Sequence, residues 1–276
     1  SWGGVDNDGD FDVVVANAGY FQQQNNQLFI NNNGNFTEVT GEPLVTDGGC
    51  SYGTAFGDVD NDGDLDLAVA NGYCNGAIVN FLYLNDGAGN FTRATTETLS
   101  TPCSFGLAFG DYDNDGFLDL AIATCKNATA SPQPNNLLYR NNGNGNNWLK
   151  IKLEGVVSNR AAIGAKVRVK TAAGWQLRDI SAQSGYNGQN SLIAHFGLAG
   201  ANLVDSVTIE WPSGIRQHLT QVVVNQQLFV VEEDATSIKV TGLFQQFKVH
   251  PNPAGSTLQL QGNLDQALPK LQISLM

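Results

Sequence analysis

The chain has 276 residues, 42% of them hydrophobic, and a formal charge of −12, enough for one large or two ordinary domains with real cores. Its 26 Asp and Glu against 14 Lys and Arg argue against nucleic acid as a partner, because phosphate binding needs a clustered basic surface. No apolar run approaches the roughly 18 residues of a membrane span, and the first residues show no basic-then-apolar leader. With Met276 as the single methionine, the sequence reads as a mature or excised piece, which leaves open where the parent protein goes.

The first half is a repeat. "VDNDGDFDVVVAN" (5–17), "VDNDGDLDLAVAN" (59–71) and "YDNDGFLDLAIAT" (112–124) recur at spacings of 54 and 53 residues. A second element keeps pace with them: "NQLFINNNGNFTEV" (26–39), "NFLYLNDGAGNFTRA" (80–94) and "NNLLYRNNGNGNNWL" (135–149). Each unit predicts an apolar strand, an acidic turn, a strand such as Leu65 to Ala70, a loop, a strand ending in Asn-Asp-Gly or similar, and a last short strand. Four strands per unit make a propeller blade. The predicted fold is therefore all-β, a partial propeller of three blades.

Aspartates crowd the turns because something must neutralise them. In the second unit Asp58, Asp60, Asp62 and Asp66 fill positions 1, 3, 5 and 9 of a D-x-D-x-D-G-x-x-D loop, with Gly63 where the chain turns sharply. Oxygen ligands at that alternation converge on one cation, and Ca²⁺ takes about six to eight of them. Position 7 supplies a backbone carbonyl, so Asp64 can be replaced by Phe117 in the third loop, which keeps Asp111, Asp113, Asp115 and Asp119. The first loop has Asp6, Asp8, Asp10 and Asp12, but Gly4 stands at position 1, predicting a weaker or water-completed site. Two or three Ca²⁺ ions are expected. An EF-hand would need Glu at position 12 and flanking helices; the second loop has Val69 there, between β-branched strands. A metal-free solvated Asx turn is the plain alternative, and three copies at fixed spacing weigh against it.

The acidic turn followed by "LDLAVAN" resembles the FG-GAP or VCBS-type repeat, the blade of integrin-like β-propellers, over residues 1–147. The resemblance implies that each calcium loop joins the first two strands of a blade. Closure takes typically four to eight blades, so further blades or a second copy of the chain would complete the ring. An antiparallel hairpin turning at each loop would bring Cys50 opposite Cys74, and Cys103 opposite Cys125. Four cysteines permit three pairings, and these two are expected; zinc is disfavoured because there is no C-x-x-C and the acidic half has no histidine. Disulfides with calcium imply an extracellular or outer-surface location.

The composition changes near Trp148: residues 1–147 carry a net charge of −15 and residues 148–276 one of +3, which places a domain boundary there. "NNWLKIKLEGVVSNRAAIGAKVRVKT" (146–171) alternates at strand period, and the pattern runs on through "SGYNGQNSLIAHFGLAGANLVDSVTIEWPSGIRQHL" (184–219). The residues predict a β-sandwich of about six or seven strands. The stretch 148–233 resembles the ASPIC/UnbV domain, which implies a transthyretin-like topology. Ser184 and His195 invite a hydrolase reading, but no G-x-S-x-G surrounds the serine and the histidine sits in an apolar run. Trp211 reads as a core anchor before a Pro-Ser-Gly turn, and Lys150, Lys152, Lys166 and Lys170 as the solvated faces of strands. Beyond a linker over 234–246, "FKVHPNPAGSTLQLQG" (247–262) resembles the start of the type A sorting domain of the type IX secretion system of Bacteroidetes-like bacteria, truncated at Met276; this implies the secretion machinery as a partner of the parent protein.

The function expected is a secreted or cell-surface, non-enzymatic, calcium-binding adhesion protein whose propeller loops meet a protein or glycan. A calcium-dependent polysaccharide-acting enzyme, or an enzyme's accessory region, is the second reading. A purely structural module of a surface assembly is the third.

Overall fold

The structure, a computed structural model, describes all residues except 20–21, 75–78, 95–98, 100–102, 126–134, 234–243, 251–258 and 265–276, with the backbone alone at 244–250 and 259–264. It divides into two compact units, Ser1–Glu232 and Glu233–Met276. The change of composition at Trp148 therefore falls inside one unit.

The first unit begins with three up-and-down sheets. Strands β1 (Trp2–Gly3), β2 (Asp12–Val15), β3 (Gln27–Asn32) and β4 (Asn35–Glu38) pair antiparallel in that order. A four-residue helix, α1 (Pro43–Thr46), leads to β5 (Ser51–Gly57), β6 (Asp66–Asn71), β7 (Phe81–Asn85) and β8 (Phe91–Arg93), again in sequence order. The third sheet holds β9 (Ser104–Gly110), β10 (Asp119–Thr124) and β11 (Leu137–Tyr139). In each sheet the acidic loop joins the first two strands, as the repeat predicts.

The packing shows why the second strand of a unit is so apolar. All six residues of β6 are buried, because side chains alternate between two faces and each face meets a neighbouring sheet. Leu67 and Val69 pack with Val14 and Leu28 of the first sheet and Val5 of its acidic loop; Ala68 and Ala70 pack with Leu107, Leu120 and Ile122 of the third. Both disulfides form as expected, Cys50–Cys74 and Cys103–Cys125, with Cα atoms 5.5 and 5.1 Å apart.

The third unit departs from the predicted pattern. Its last short strand, expected at Asn-Asn-Trp-Leu, belongs to β12 (Asn147–Glu154) in a different sheet. Leu149, Ile151 and Leu153 point along one side of β12 into a new core, and burying those three side chains outweighs closing a fourth short edge. Strands β13 (Lys166–Thr171), β14 (Gly174–Asp179), β15 (Ile193–Ala199), β16 (Leu203–Glu210), β17 (Arg216–Val223) and β18 (Gln226–Val231) complete the unit. The order is β15-β12-β18 in one sheet, with β12 and β18 parallel, and β14-β13-β16-β17 in the other. Seven strands thus form two sheets sharing one core, in which Val167, Val169, Phe196, Val207, Ile209 and Trp211 are buried.

The core of this sandwich is fastened at its lower edge by a buried carboxylate. Glu232 accepts hydrogen bonds from the backbone N–H groups of Val156, Val157 and Ser158 and from the hydroxyls of Ser158 and Ser213. Burial raises its pKa, but those donors outweigh it and hold the group down at about 2.

In the second unit β19 (Phe244–His250) and β20 (Gln259–Leu264) pair antiparallel. Most of the linker over 234–246 and of the expected sorting segment lies outside the described residues.

Candidate metal loops and their contact with the sandwich

The three acidic loops share one backbone course. Asn7, Asn61 and Asn114 have φ of 58°, 57° and 62°, and Gly9, Gly63 and Gly116 have φ of 101°, 109° and 94°. Asparagine tolerates the left-handed region and glycine occupies it without strain, which is why Asn-Asp-Gly recurs.

Position 9 of each loop anchors the backbone around it. Asp12 accepts from Val5 N at 2.7 Å and Asn31 N at 2.8 Å. Asp66 accepts from Val59 N at 2.8 Å and Asn85 N at 3.0 Å, and Asp119 from Tyr112 N at 2.9 Å and Asn141 N at 2.8 Å. With both carboxylate oxygens, Asp12 and Asp66 tie the loop to the third strand of their own sheet, and Asp119 ties it to the residues just after that strand. None of the three belongs to a convergent acidic group.

Convergence is found among positions 1, 3 and 5. Ligand oxygens of Asp58, Asp60 and Asp62 lie within 4.8 Å of one another, as do those of Asp111, Asp113 and Asp115. Asp6, Asp8 and Asp10, with Gly4 in place of the first aspartate, form no such group; Asp10 instead accepts from Asn33 N at 2.7 Å. At position 7, Asp64 accepts from the Asn7 side chain of the neighbouring loop at 2.7 Å.

The two convergent loops differ in what already faces their carboxylates. Asp58 is buried, and its Oδ2 accepts from Gly63 N and Gly197 N at 3.1 and 2.9 Å, while its Oδ1 has no hydrogen-bond partner. Burial pushes its pKa up to about 7, partly opposed by the Arg178 guanidinium 3.8 Å away. Burial and the neighbouring carboxylates likewise raise Asp62 to about 6 and Asp66 to about 8. In the third loop the Lys150 ammonium lies 2.5 Å from Asp111 Oδ2, and Arg140 reaches Asp113 at 2.6 Å and Asp115 at 3.0 Å. The hydrogen bond from Arg140 holds the Asp113 carboxyl below its usual range.

Lys150 corrects the expectation of a solvated strand face. It is 3% exposed on β12, between the core residues Leu149 and Ile151, whereas Lys152, Lys166 and Lys170 are exposed. The alternation that marks β12 as a strand could not show that its outer face is covered by an acidic loop.

The second and third loops are the platform on which the sandwich rests. Ala199 N donates to Asn61 O, Arg178 donates to Gly63 O, and the Asn61 side chain donates to Gly116 O. His195 Nε2 donates to Gly116 O at 3.0 Å. Burial lowers the pKa of His195 to about 4, so the imidazole is neutral at pH 7. The segment 184–191 runs beside the first strands of the sheets. Asn190 accepts from Phe109 N and donates to Phe56 O, Ser191 N donates to Phe109 O, and Ser1 Oγ donates to Ser184 O. Gly106 is required here, since a Cβ would strike the carbonyl of Asn187.

Between this segment and the sheets lies a cavity of about 140 Å³, with Trp2, Phe56, Phe109, Arg178, Ser184 and His195 in its wall. Ser184 Oγ accepts from Asn190 N, and His195 Nδ1 has no partner. The structure thus brings the serine and histidine to one cavity but joins them by no hydrogen bond among those of the described residues. Arg178, Lys150 and Gly197 were not legible as site residues, because each lies in a strand whose pattern reports only its inner face.

The sequence relationships agree with this division. The family description "FG-GAP-like repeat" matches residues 5–69 and 58–122, and "ASPIC and UnbV" matches residues 155–237. The chain thus carries FG-GAP-like repeats in a propeller arrangement and an ASPIC/UnbV region.

The chain is similar to cartilage acidic protein 1 of Mus musculus, 37% identical over 105 residues covering 38% of this chain and 16% of that protein. The Homo sapiens protein is 37% identical over 105 residues, 38% of this chain and 15% of the relative. That of Xenopus tropicalis is 32% identical over 154 residues, 53% of this chain and 23% of the relative. The matched region spans less than a quarter of the length of these curated relatives.

Proposed function

We propose that this region is a calcium-stiffened, non-enzymatic binding module of an extracellular protein, with three propeller blades and a transthyretin-like sandwich, whose exposed blade loops meet a protein or glycan ligand. The observation that carries the calcium reading is the second loop. Three carboxylates converge there, and Asp58 keeps a buried oxygen with no partner. A buried, partnerless carboxylate oxygen is costly unless a cation meets it. An all-oxygen set of this kind suits Ca²⁺ better than Mg²⁺, which retains several waters. The ion would be held by Asp58, Asp60 and Asp62, with the carbonyl of Asp64, and would supply the positive charge that lets them ionise together.

Because Asp58 also receives Gly197 N, an ion there stiffens the contact between propeller and sandwich as well as the loop. The two disulfides and the similarity to cartilage acidic protein 1 support the extracellular location. Asp60→Asn and Asp62→Ala should each lower Tm in calcium and change little in chelator; equal losses in both would remove the ligand role. Binding to a glycan and extracellular-matrix protein array, abolished by chelator, is the expected ligand result, and an array with no calcium-dependent signal would refute the adhesion reading.

A further inference from the structure

We propose that the third acidic loop carries its cation within the chain: the Lys150 ammonium and Arg140 guanidinium together do there what a calcium ion does in the second loop, so the native protein binds no calcium at Asp111, Asp113 and Asp115. The proposal rests on reading these loops as cation sites.

Charge is the first argument. Fully ionised, the three convergent carboxylates would carry −3 in either loop, and Lys150 and Arg140 together bring +2, the charge of one Ca²⁺. In the second loop, among the described residues, no basic side chain pairs with Asp60 or Asp62; Arg178 stands 3.8 Å from Asp58. In the third, each of the three acids has a basic partner within 3.0 Å.

Register is the second. Leu67 pairs with Tyr83 and Leu120 with Tyr139, which makes Leu84 of β7 the counterpart of Arg140. In the first sheet Val13 pairs with Phe29, so the counterpart is Ile30. Blades one and two thus have an apolar residue where only blade three presents a guanidinium over its acidic loop.

Burial is the third. Lys150 and Asp111 side chains are each 3% exposed, and Nζ also reaches Asn114 Oδ1 at 3.3 Å. The indole of Trp148 lies beneath the ammonium, 5.2 Å from it. Its strand is fixed by Leu149 and Ile151 in the sandwich core, and the Lys150 ammonium is held against the loop by Asp111 and Asn114. A divalent ion entering beside a buried ammonium would meet repulsion in a poorly screened site.

The test counts calcium ions per chain by native mass spectrometry and titration with Ca²⁺ and Tb³⁺ on the full chain. Asp113→Asn should leave the native count unchanged. Lys150→Met combined with Arg140→Leu should gain one ion per chain, raise Tm in calcium relative to chelator by more than the native protein does, and lose that ion again with Asp113→Asn. A native count that drops by one in Asp113→Asn, or a folded double variant that gains no ion, would overturn the proposal. Should the double variant fail to fold, the native and Asp113→Asn counts decide alone. Asp60→Asn reports the second loop separately, so a protein that takes no calcium there would refute the calcium reading of that loop while the third-loop counts still stand as a test.

Discussion

At the scale of single residues, the aspartates of one loop divide the work: positions 1, 3 and 5 converge, and position 9 anchors the backbone. Asp66 satisfies two backbone N–H groups and clamps loop to strand, so Asp66→Ala should destabilise by about 3 kcal/mol in calcium and in chelator alike, from two stranded buried donors. Chemical denaturation in both conditions measures it. Proton linkage separates the two states of the second loop. Asp58, Asp62 and Asp66 stand at about 7, 6 and 8, above their unfolded values, so the calcium-free fold binds protons that the unfolded chain does not. Its stability should therefore fall as pH rises from about 4 to 8. Calcium needs the ionised carboxylates, so its affinity should rise over the same range; Tm in chelator should fall with pH there, while Tm in saturating calcium should stay nearly level above about pH 5. The acidic trios were legible because alternation of Asp with turn residues is written in the sequence. Lys150 was not, since nothing local distinguishes a lysine facing water from one facing a carboxylate 39 residues away.

At the scale of elements, the repeat let three strand-loop-strand units be read, and the cysteine spacing followed from the hairpin each loop makes. Cys125 N also donates to Cys103 O, so the bridge closes a paired segment. Replacing both Cys103 and Cys125 by Ala should cost about 3 kcal/mol of unfolding free energy by the loop-closure estimate, read by denaturant titration. Glu232 fixes the other end of the unit. Its folded pKa of about 2 means its contribution is full above about 4.5 and lost as pH falls toward 2. Glu232→Gln should lower stability at pH 7 and make no difference near pH 2, as followed by tryptophan fluorescence. Asn147–Glu154 reads as a strand of the second half, as it is; only its first residues, Asn147–Leu149, also read as the last short strand of the repeat, which they match in sequence.

At the scale of the whole unit, Ser1–Glu232 is held together across the point where charge and composition change. Composition reports where the acidic loops are, not where contacts cease; the basic half sits against the acidic loops because it complements them. Gly197, Arg178, Lys150 and His195 all reach those loops from the sandwich, and each contact is polar and remote in sequence, which is why no periodicity announced it. Unfolding of this unit should be one cooperative transition followed equally by probes in either half.

Thermal unfolding of the native chain in calcium and in chelator, with bound ions counted by native mass spectrometry, tests the calcium role of the second loop most directly. The structure predicts a higher Tm in calcium, with the shift and one bound ion lost together in Asp60→Asn. An unchanged Tm with no ion retained would mean that Asp58, Asp60 and Asp62 form a turn without a metal.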